Sequence, residues 1–516
     1  MPALPPPALP PPARRRLITL FTLAGAFMTQ LDATIANVAL PHMQAATAAS
    51  REQIAWVLTS YLVMAATFTP LSGWLAQRFG RKRVFLVSVT GFTLASALCG
   101  AAATLDQLIA FRLLQGMMGS ALLPLSQAIM LDINPPEKHG SAMALWGIGA
   151  VIGPIIGPLI GGWLTEDYSW RWVFYINLPI GIATFTGLWL VLGKGHGEEE
   201  SRKLDVFGFI MLGLCVAALQ LFLDRGQIKD WFASSEIWIE AALALVALYA
   251  FTVHSLTTRH PFVQPALFAD RNYLIGNVLG FFLGGVMYGV MALVAPMLSD
   301  LFDYPIELVG LTTAPRGVGT MLAMLLTGRL VNRIDLRLLL ALGLALCGIS
   351  LGMMANFSLA MDERLLIVSG FVQGVGAGIM FVPITTIVFA TLGPALRNEG
   401  AAFNSLVRNI GGAVTISLLE TLTVRNEARV HARLVEGLRP DNPVLALTRP
   451  DLDFALPSAM ARLDGEIARQ AAMVSYIDAF WALVVASLLV APLVALIRLR
   501  PRGGAVAAPP PISEAL

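Results

Sequence analysis

Ser72-Gly73-Trp74-Leu75-Ala76-Gln77-Arg78-Phe79-Gly80-Arg81-Lys82-Arg83 stands between two long apolar runs. Its glycines permit a tight turn and close backbone approach. Its cations suit a leaflet of anionic lipids and the carbonyl end of a helix. Gly73, Gly80 and Arg81 are therefore expected to form a hinge or gate. The element recurs once, at Thr327-Gly328-Arg329-Leu330-Val331-Asn332-Arg333, an offset of 255 (72 to 327). Gln115-Gly116, with Pro124 downstream, matches Gln373-Gly374, with Pro383 downstream, at a similar spacing. Copies on one side of a membrane make a parallel repeat about an axis along the membrane normal, as in transporters with two six-helix halves.

The rest of the chain requires a membrane. Of 516 residues 56% are hydrophobic and 13% charged, against about a quarter charged in soluble domains. With a mean hydropathy of +0.71, lipid must be part of the solvent. Spans of about 20 apolar residues are expected near 17–41, 53–77, 84–104, 107–131, 140–164, 171–193, 205–223, 235–256, 272–298, 306–331, 336–356, 364–392, 400–424 and 474–497. The expected fold is an all-α integral membrane protein of about fourteen transmembrane helices, two six-helix bundles plus an inserted pair. The expected domains are a disordered Pro-rich cytoplasmic tail, 1–16; an N-terminal bundle, 17–200; the inserted pair, 201–260; a C-terminal bundle, 261–500, with an outer loop, 425–473; and a disordered cytoplasmic tail, 501–516. Cations concentrate in one set of short loops: Arg14–Arg16, Arg78–Arg83, Lys194, Arg202, Lys203, Arg333, Arg337 and Arg498. That places both termini in the cytoplasm.

A net charge of +2 gives no indication of nucleic acid. Cys99, Cys215 and Cys347 lie in apolar runs without metal or disulfide spacing, so neither a metal nor a cofactor is expected. H-E-x-x-H and Walker patterns are absent, which disfavours a zinc hydrolase or ATP-driven transport.

Leu31-Asp32-Ala33-Thr34 places a carboxylate inside the first span, where a charge costs at least about 2.5 kcal/mol and calls for a partner or water. Asp32 lies roughly 13 Å from the outer end of that span, and Arg112 roughly 8 Å into the fourth, at 1.5 Å per residue. The two are expected to pair. Arginine beside the acid holds it ionised, and separation favours proton uptake, so Asp32 and Arg112 are the proton-coupling candidates. Gly149, Gly153, Gly157 and Gly161, four apart, make a smooth helix face. Pro154 beside them permits a kink and a gating role. Trp56, Tyr61, Gln115, Gln127, Phe281, Tyr288, Gln373, Asn404 and Arg408 are candidate cavity residues by depth and chemistry.

The basic turn, Arg112-Leu-Leu-Gln-Gly116 and Gly153-Pro154 resemble signature motifs of the major facilitator superfamily. Gly153-Pro154 with Gly161-Gly162 is similar to the antiporter motif of its drug exporters. Leu31-Asp32 to Pro41 and Trp170-Arg171-Trp172-Val173-Phe174-Tyr175-Ile176-Asn177-Leu178-Pro179 resemble the fourteen-helix drug:proton antiporters of the EmrB/QacA type. Leu223-Asp224-Arg225-Gly226, Asp230-Trp231-Phe232 and Asn404 to Gly412 resemble the EmrB branch. The resemblance implies a bacterial inner-membrane antiporter that exports hydrophobic drugs by alternating access, driven by protons without a cofactor. It implies a periplasmic adaptor (EmrA-like) and an outer-membrane channel as candidate partners. Gln77 stands where the common motif has Asp, so no relay role passes to it. The alternative is a dedicated exporter of one metabolite, siderophore or self-made antibiotic on the same fold.

Overall fold

The computed structural model describes residues 10–192, 203–393, 396–438 and 456–497. Lys194, Arg202, most of the tail expected at 1–16 and the whole tail at 501–516 lie outside them. Among the described residues there is no strand. Twelve helices are each long and apolar enough to cross a membrane, and a bent pair makes a thirteenth span. The chain is a multi-pass membrane protein.

The first repeat begins with α1 (Pro12–Val38), followed by the short α2 (Leu40–Thr47). α1 starts inside the expected tail, because proline at the first helical positions loses no hydrogen bond. The second span is α3 (Arg51–Phe68) and α4 (Leu71–Phe79), bent by 53° at Pro70. α5 (Arg81–Ala101) is the third span, and α6 (Leu105–Gly119) with α7 (Leu122–Asp132) the fourth. α8 (His139–Asp167) carries Pro154 and Pro158 inside one continuous helix. α9 (Trp172–Tyr175) leads into α10 (Asn177–Val191).

α11 (Val206–Gly226) and α12 (Ser235–Thr257) pack on each other, and α11 also lies on α3. α13 (Ala266–Ala269) precedes the second repeat: α14 (Arg271–Phe302), α15 (Ile306–Leu330), α16 (Leu336–Met354), α17 (Glu363–Ala390), α18 (Arg397–Glu436) and α19 (Pro457–Val490). α18 is one continuous helix whose apolar run is broken by Asn404, Arg408 and Asn409, and it packs along α14.

The segment expected as an outer loop, 425–473, is helical at both ends, and its residues 439–455 lie outside the described ones. α18 stays helical to Glu436 and α19 begins at Pro457. Residues 425–436 are polar but rich in Arg, Ala and Glu, so the apolar run ends where the helix does not. The extensions meet where His431 bonds Asp464 at 3.0 Å.

Glycines set the closest helix approaches. A Cβ at Gly153 would lie 2.6 Å from the Leu31 nitrogen, and one at Gly157 would strike Thr34. Gly149 and Gly161 meet Leu23 and Ile35, so all four expected glycines face α1. The repeat is visible in one matched contact. A Cβ at Gly116 of α6 would lie 2.3 Å from the Tyr61 carbonyl oxygen of α3, and one at Gly374 of α17 would lie 1.9 Å from the Arg316 carbonyl oxygen of α15.

Candidate functional site

Three helices deliver polar side chains to one buried point. α1 brings Asp32, α6 brings Arg112 and Gln115, and α10 brings Asn177, all fully buried. Arg112 Nη1 donates to Asp32 Oδ2 at 2.6 Å. Gln115 Nε2 and Asn177 Nδ2 donate to Asp32 Oδ1 at 2.8 and 2.9 Å. Three donors on one carboxylate offset the cost of an ion in lipid. Arg112 also has partners that do not depend on the acid. Its Nε donates to the Val57 carbonyl at 3.0 Å and its Nη1 to Gln115 Oε1 at 2.8 Å. Its guanidinium lies 4.1 Å from the Tyr61 ring centre and 5.7 Å from that of Phe174. Cation–π contact of this kind holds a desolvated arginine. Neutralising Asp32 therefore leaves Arg112 supported, which suits a reversible pair better than a fixed one.

The candidate cavity residues divide. Gln115 and Tyr61 belong to the Asp32 cluster and not to a cavity wall, because Arg112 draws the amide and stacks on the ring. Trp56 lies against Arg225 of α11, 5.9 Å from ring centre to guanidinium. Gln127 is buried against Met143. Tyr288 accepts from Gln30 Nε2 at 3.4 Å, linking α14 to α1. Asn404 donates to Asn277 Oδ1 at 3.1 Å. Phe281 lines an apolar cleft of about 340 Å3 between α14 and α18, with Phe268, Leu274, Val278, Phe403 and Val407. Arg408 points inward, 5.6 Å from the Trp146 ring centre and 5.9 Å from that of Phe381. Gln373 is fully buried, with no hydrogen bond to its amide nitrogen or oxygen. Arg316, to which the sequence expectations assign no role, sits beside it on α15. It carries the signal that singles out Arg112, a cation within an apolar run. Asn177 lacks that signal, since a neutral amide in a helix is unremarkable until its neighbours are known.

The basic turn does more than anchor a loop. Gly80 is the glycine in the left-handed region, at φ 81°. Arg81 pairs with Asp132 at the end of α7, and its Nε donates to Asn398 Oδ1 at the start of α18 at 2.7 Å. A Cβ at Gly73 would lie 3.0 Å from Glu399 Cα. Asn332 donates to the Glu137 carbonyl beside these contacts. Helices of both repeats are thus latched at this end. Asp132→Ala is expected to loosen the latch by about 1–3 kcal/mol, the cost of stranding a charged donor. Spin labels at Arg78 and Arg333 should then report a population at longer distance, and an unchanged distribution would exclude the latch.

A serine-hydrolase spacing, Gly348-Ile-Ser350-Leu-Gly352, does occur. It lies inside α16, where Ser350 donates to the Ser369 carbonyl at 2.7 Å. A nucleophile elbow needs a strand-to-helix turn, so this serine is a packing residue.

Residues 22–416 match the Major Facilitator Superfamily model. The chain belongs to the major facilitator superfamily. Within that superfamily it is similar to the multidrug export protein EmrB of Haemophilus influenzae, 35% identical over 83% of this chain and 84% of that protein. It is equally similar, at 35% over 92% and 94%, to the probable multidrug resistance protein EmrY of Escherichia coli. Among solved structures, the human organic anion transporter MFSD10 (TETRAN) superposes with a TM-score of 0.59 over 94% of this chain and 100% of that one, at 15% identity. That likeness speaks for the major facilitator fold alone. The chain is an EmrB-like member of a transporter superfamily.

Proposed function

We propose that this protein is a proton-coupled antiporter that exports hydrophobic drugs from the bacterial cytoplasm across the inner membrane, with both termini cytoplasmic. The observation that carries the coupling is the buried Asp32–Arg112 pair, whose cation keeps neutral partners when the acid is protonated. Protonation of Asp32 removes the ionic tie between α1 and α6 and changes which packing is favoured. Loss of the proton to the cytoplasm restores it. Rocking of bundle 17–200 against 261–500, about the glycine faces and the Arg81 latch, would move the site from one side to the other. The pair at 201–260 would ride with the first bundle through α11 and α3. The extensions of α18 and α19 are the surface assigned to a periplasmic adaptor that leads to an outer-membrane channel.

The reading is tested in proteoliposomes without ATP. An imposed pH gradient should drive ethidium against its concentration gradient, and a protonophore should stop it. Ethidium movement indifferent to the gradient would reject proton coupling. A resistance spectrum confined to one compound would favour the dedicated exporter.

A further inference from the structure

Residues 258–265 join the inserted pair to the second bundle, between α12 and α13. Pro261 in this connector has no backbone donor, and the donors after it are taken from two sides. Asp205, at the start of α11, accepts from the Phe262 N–H through Oδ2 at 2.9 Å. Its Oδ1 accepts from the Gly208 N–H at 2.9 Å, and His254 Nε2 of α12 lies 2.9 Å from the same oxygen. Two residues along the connector, the Gln264 N–H donates to Glu399 Oε1 in the first turn of α18. Capping α11 takes one carboxylate oxygen. Asp205 gives its other oxygen to the backbone of a different element.

Side chains continue the grip. Phe262 and Val263 are buried. The Phe262 ring lies 5.5 Å from that of Phe209 on α11, and Phe209 lies 5.7 Å from Phe68, the last residue of α3. This series of rings ends at the 53° bend of the second span. Pro70 and Trp74 of α4 and Phe403 of α18 line one small cavity with Phe262 and Val263. Gly208 is needed for the contact, since a Cβ there would strike the Asp205 carboxylate and lie 3.0 Å from Phe262 Cβ. Glu399 and the connector belong to the second bundle, whereas α11 packs on α3 of the first. The bond that crosses between the two bodies is therefore the one made by Asp205.

We propose that residues 258–265 are a strap that holds the end carrying the basic turn closed, with Asp205 as its clasp, and that this is what the inserted pair contributes to transport. The inference rests on the alternating-access reading above. Closure seats the strap between α4 and α18. Opening breaks the contact of Asp205 with Phe262, while Glu399 keeps the strap on the second bundle. Asp205 is a positioning residue that acts through the strap.

Thiol accessibility tests it without any gradient. Val263→Cys reports the strap, and Val331→Cys reports the seam between the bundles, where Val331 meets Gly140 of α8. Both positions are buried, as are Cys99, Cys215 and Cys347. In nanodiscs, which leave both faces open, a membrane-impermeant maleimide should label each reporter slowly, at a rate that follows the open population. Asp205→Asn leaves one acceptor oxygen where the carboxylate has two. It should raise labelling at both reporters at least about tenfold, the worth of one hydrogen bond to a charged group. Gly208→Ala should do the same by pushing the strap aside with the carboxylate still present. Asp362→Asn alters the N-cap of α17 by the same chemistry and should change neither rate. A rise at Val263→Cys alone would make the strap a local contact and overturns the proposal. So do rates unchanged in both Asp205→Asn and Gly208→Ala, or an equal rise in Asp362→Asn. Gradient-driven ethidium export with a seam indifferent to both variants rejects the strap alone, whereas strap-dependent opening without gradient-driven movement of any compound rejects the exporter reading.

Discussion

Asp32→Asn is expected to reduce gradient-driven ethidium export by about 100-fold or more, to the level of leak, with protein level and dye binding retained. The substitution keeps the shape and removes the proton site. It also takes the anion from Arg112, and breaking a buried pair from one side costs about 3–5 kcal/mol, more than enough to lock a conformational equilibrium. The stability loss should fall at or below that range, because the Val57 carbonyl, the Gln115 oxygen and the Tyr61 face remain on Arg112. Arg112→Gln leaves Asp32 with the amides of Gln115 and Asn177. The acid then lacks its counter-charge, and export is expected to fail for the opposite reason. Joining the two substitutions should recover about 0.5–3 kcal/mol of thermal stability relative to the sum of the singles, but no transport. Gradient-driven export surviving in Asp32→Asn would remove Asp32 from coupling and move the search to the second repeat.

Gly116→Ala and Gly374→Ala are expected to be among the most disruptive alanine substitutions at the described glycines. Each adds one methyl, yet each places it within 2.3 Å of a backbone oxygen on the neighbouring helix. Backbone cannot rotate away as a side chain can, so α3 and α6, or α15 and α17, must separate. Overpacking of this kind costs about 1–3 kcal/mol, and at Gly116 it also displaces Tyr61 from Arg112, so export should fall with stability. Gly352→Ala is the matched comparison. Its added Cβ has no neighbour within 4 Å, and alanine in a helix gains up to about 1 kcal/mol over glycine. Thermal midpoints in one detergent separate the cases. Equal midpoints for Gly116→Ala and Gly352→Ala would show that α3 and α6 do not approach as described.

Some of the site is legible in the sequence because charge in an apolar run is conspicuous. Asp32 and Arg112 stand out on that ground, and helix depth alone brings them to one level. Arg316 is conspicuous on the same ground, but its place beside Gln373 depends on how α15 meets α17. Asn177 and the Val57 carbonyl complete the first cluster, yet neither is unusual in its own helix. Gln115 is legible as a buried amide, while its duty toward Asp32 rather than a cavity depends on the rotation of α6 about its axis. The basic turn is legible as an anchor. Its grip on Asp132 and Asn398, more than three hundred residues apart in the second case, depends on where α18 begins in space.

The sequence by itself determined the all-α membrane architecture, the approximate positions of most of the spans and the repeat. These follow from composition along the chain, because lipid admits only long apolar helices whose backbone bonds are internal. It did not determine where the last two helices end, since hydropathy registers the edge of the membrane and not the edge of a helix. Only the tertiary structure decided which faces meet. A helix that is apolar all round carries little amphipathic signal, so its rotation is set by glycine-lined approaches and by polar groups that must find one another away from water. Those same constraints close the cluster around Asp32 and lay residues 258–265 between Asp205 and Glu399.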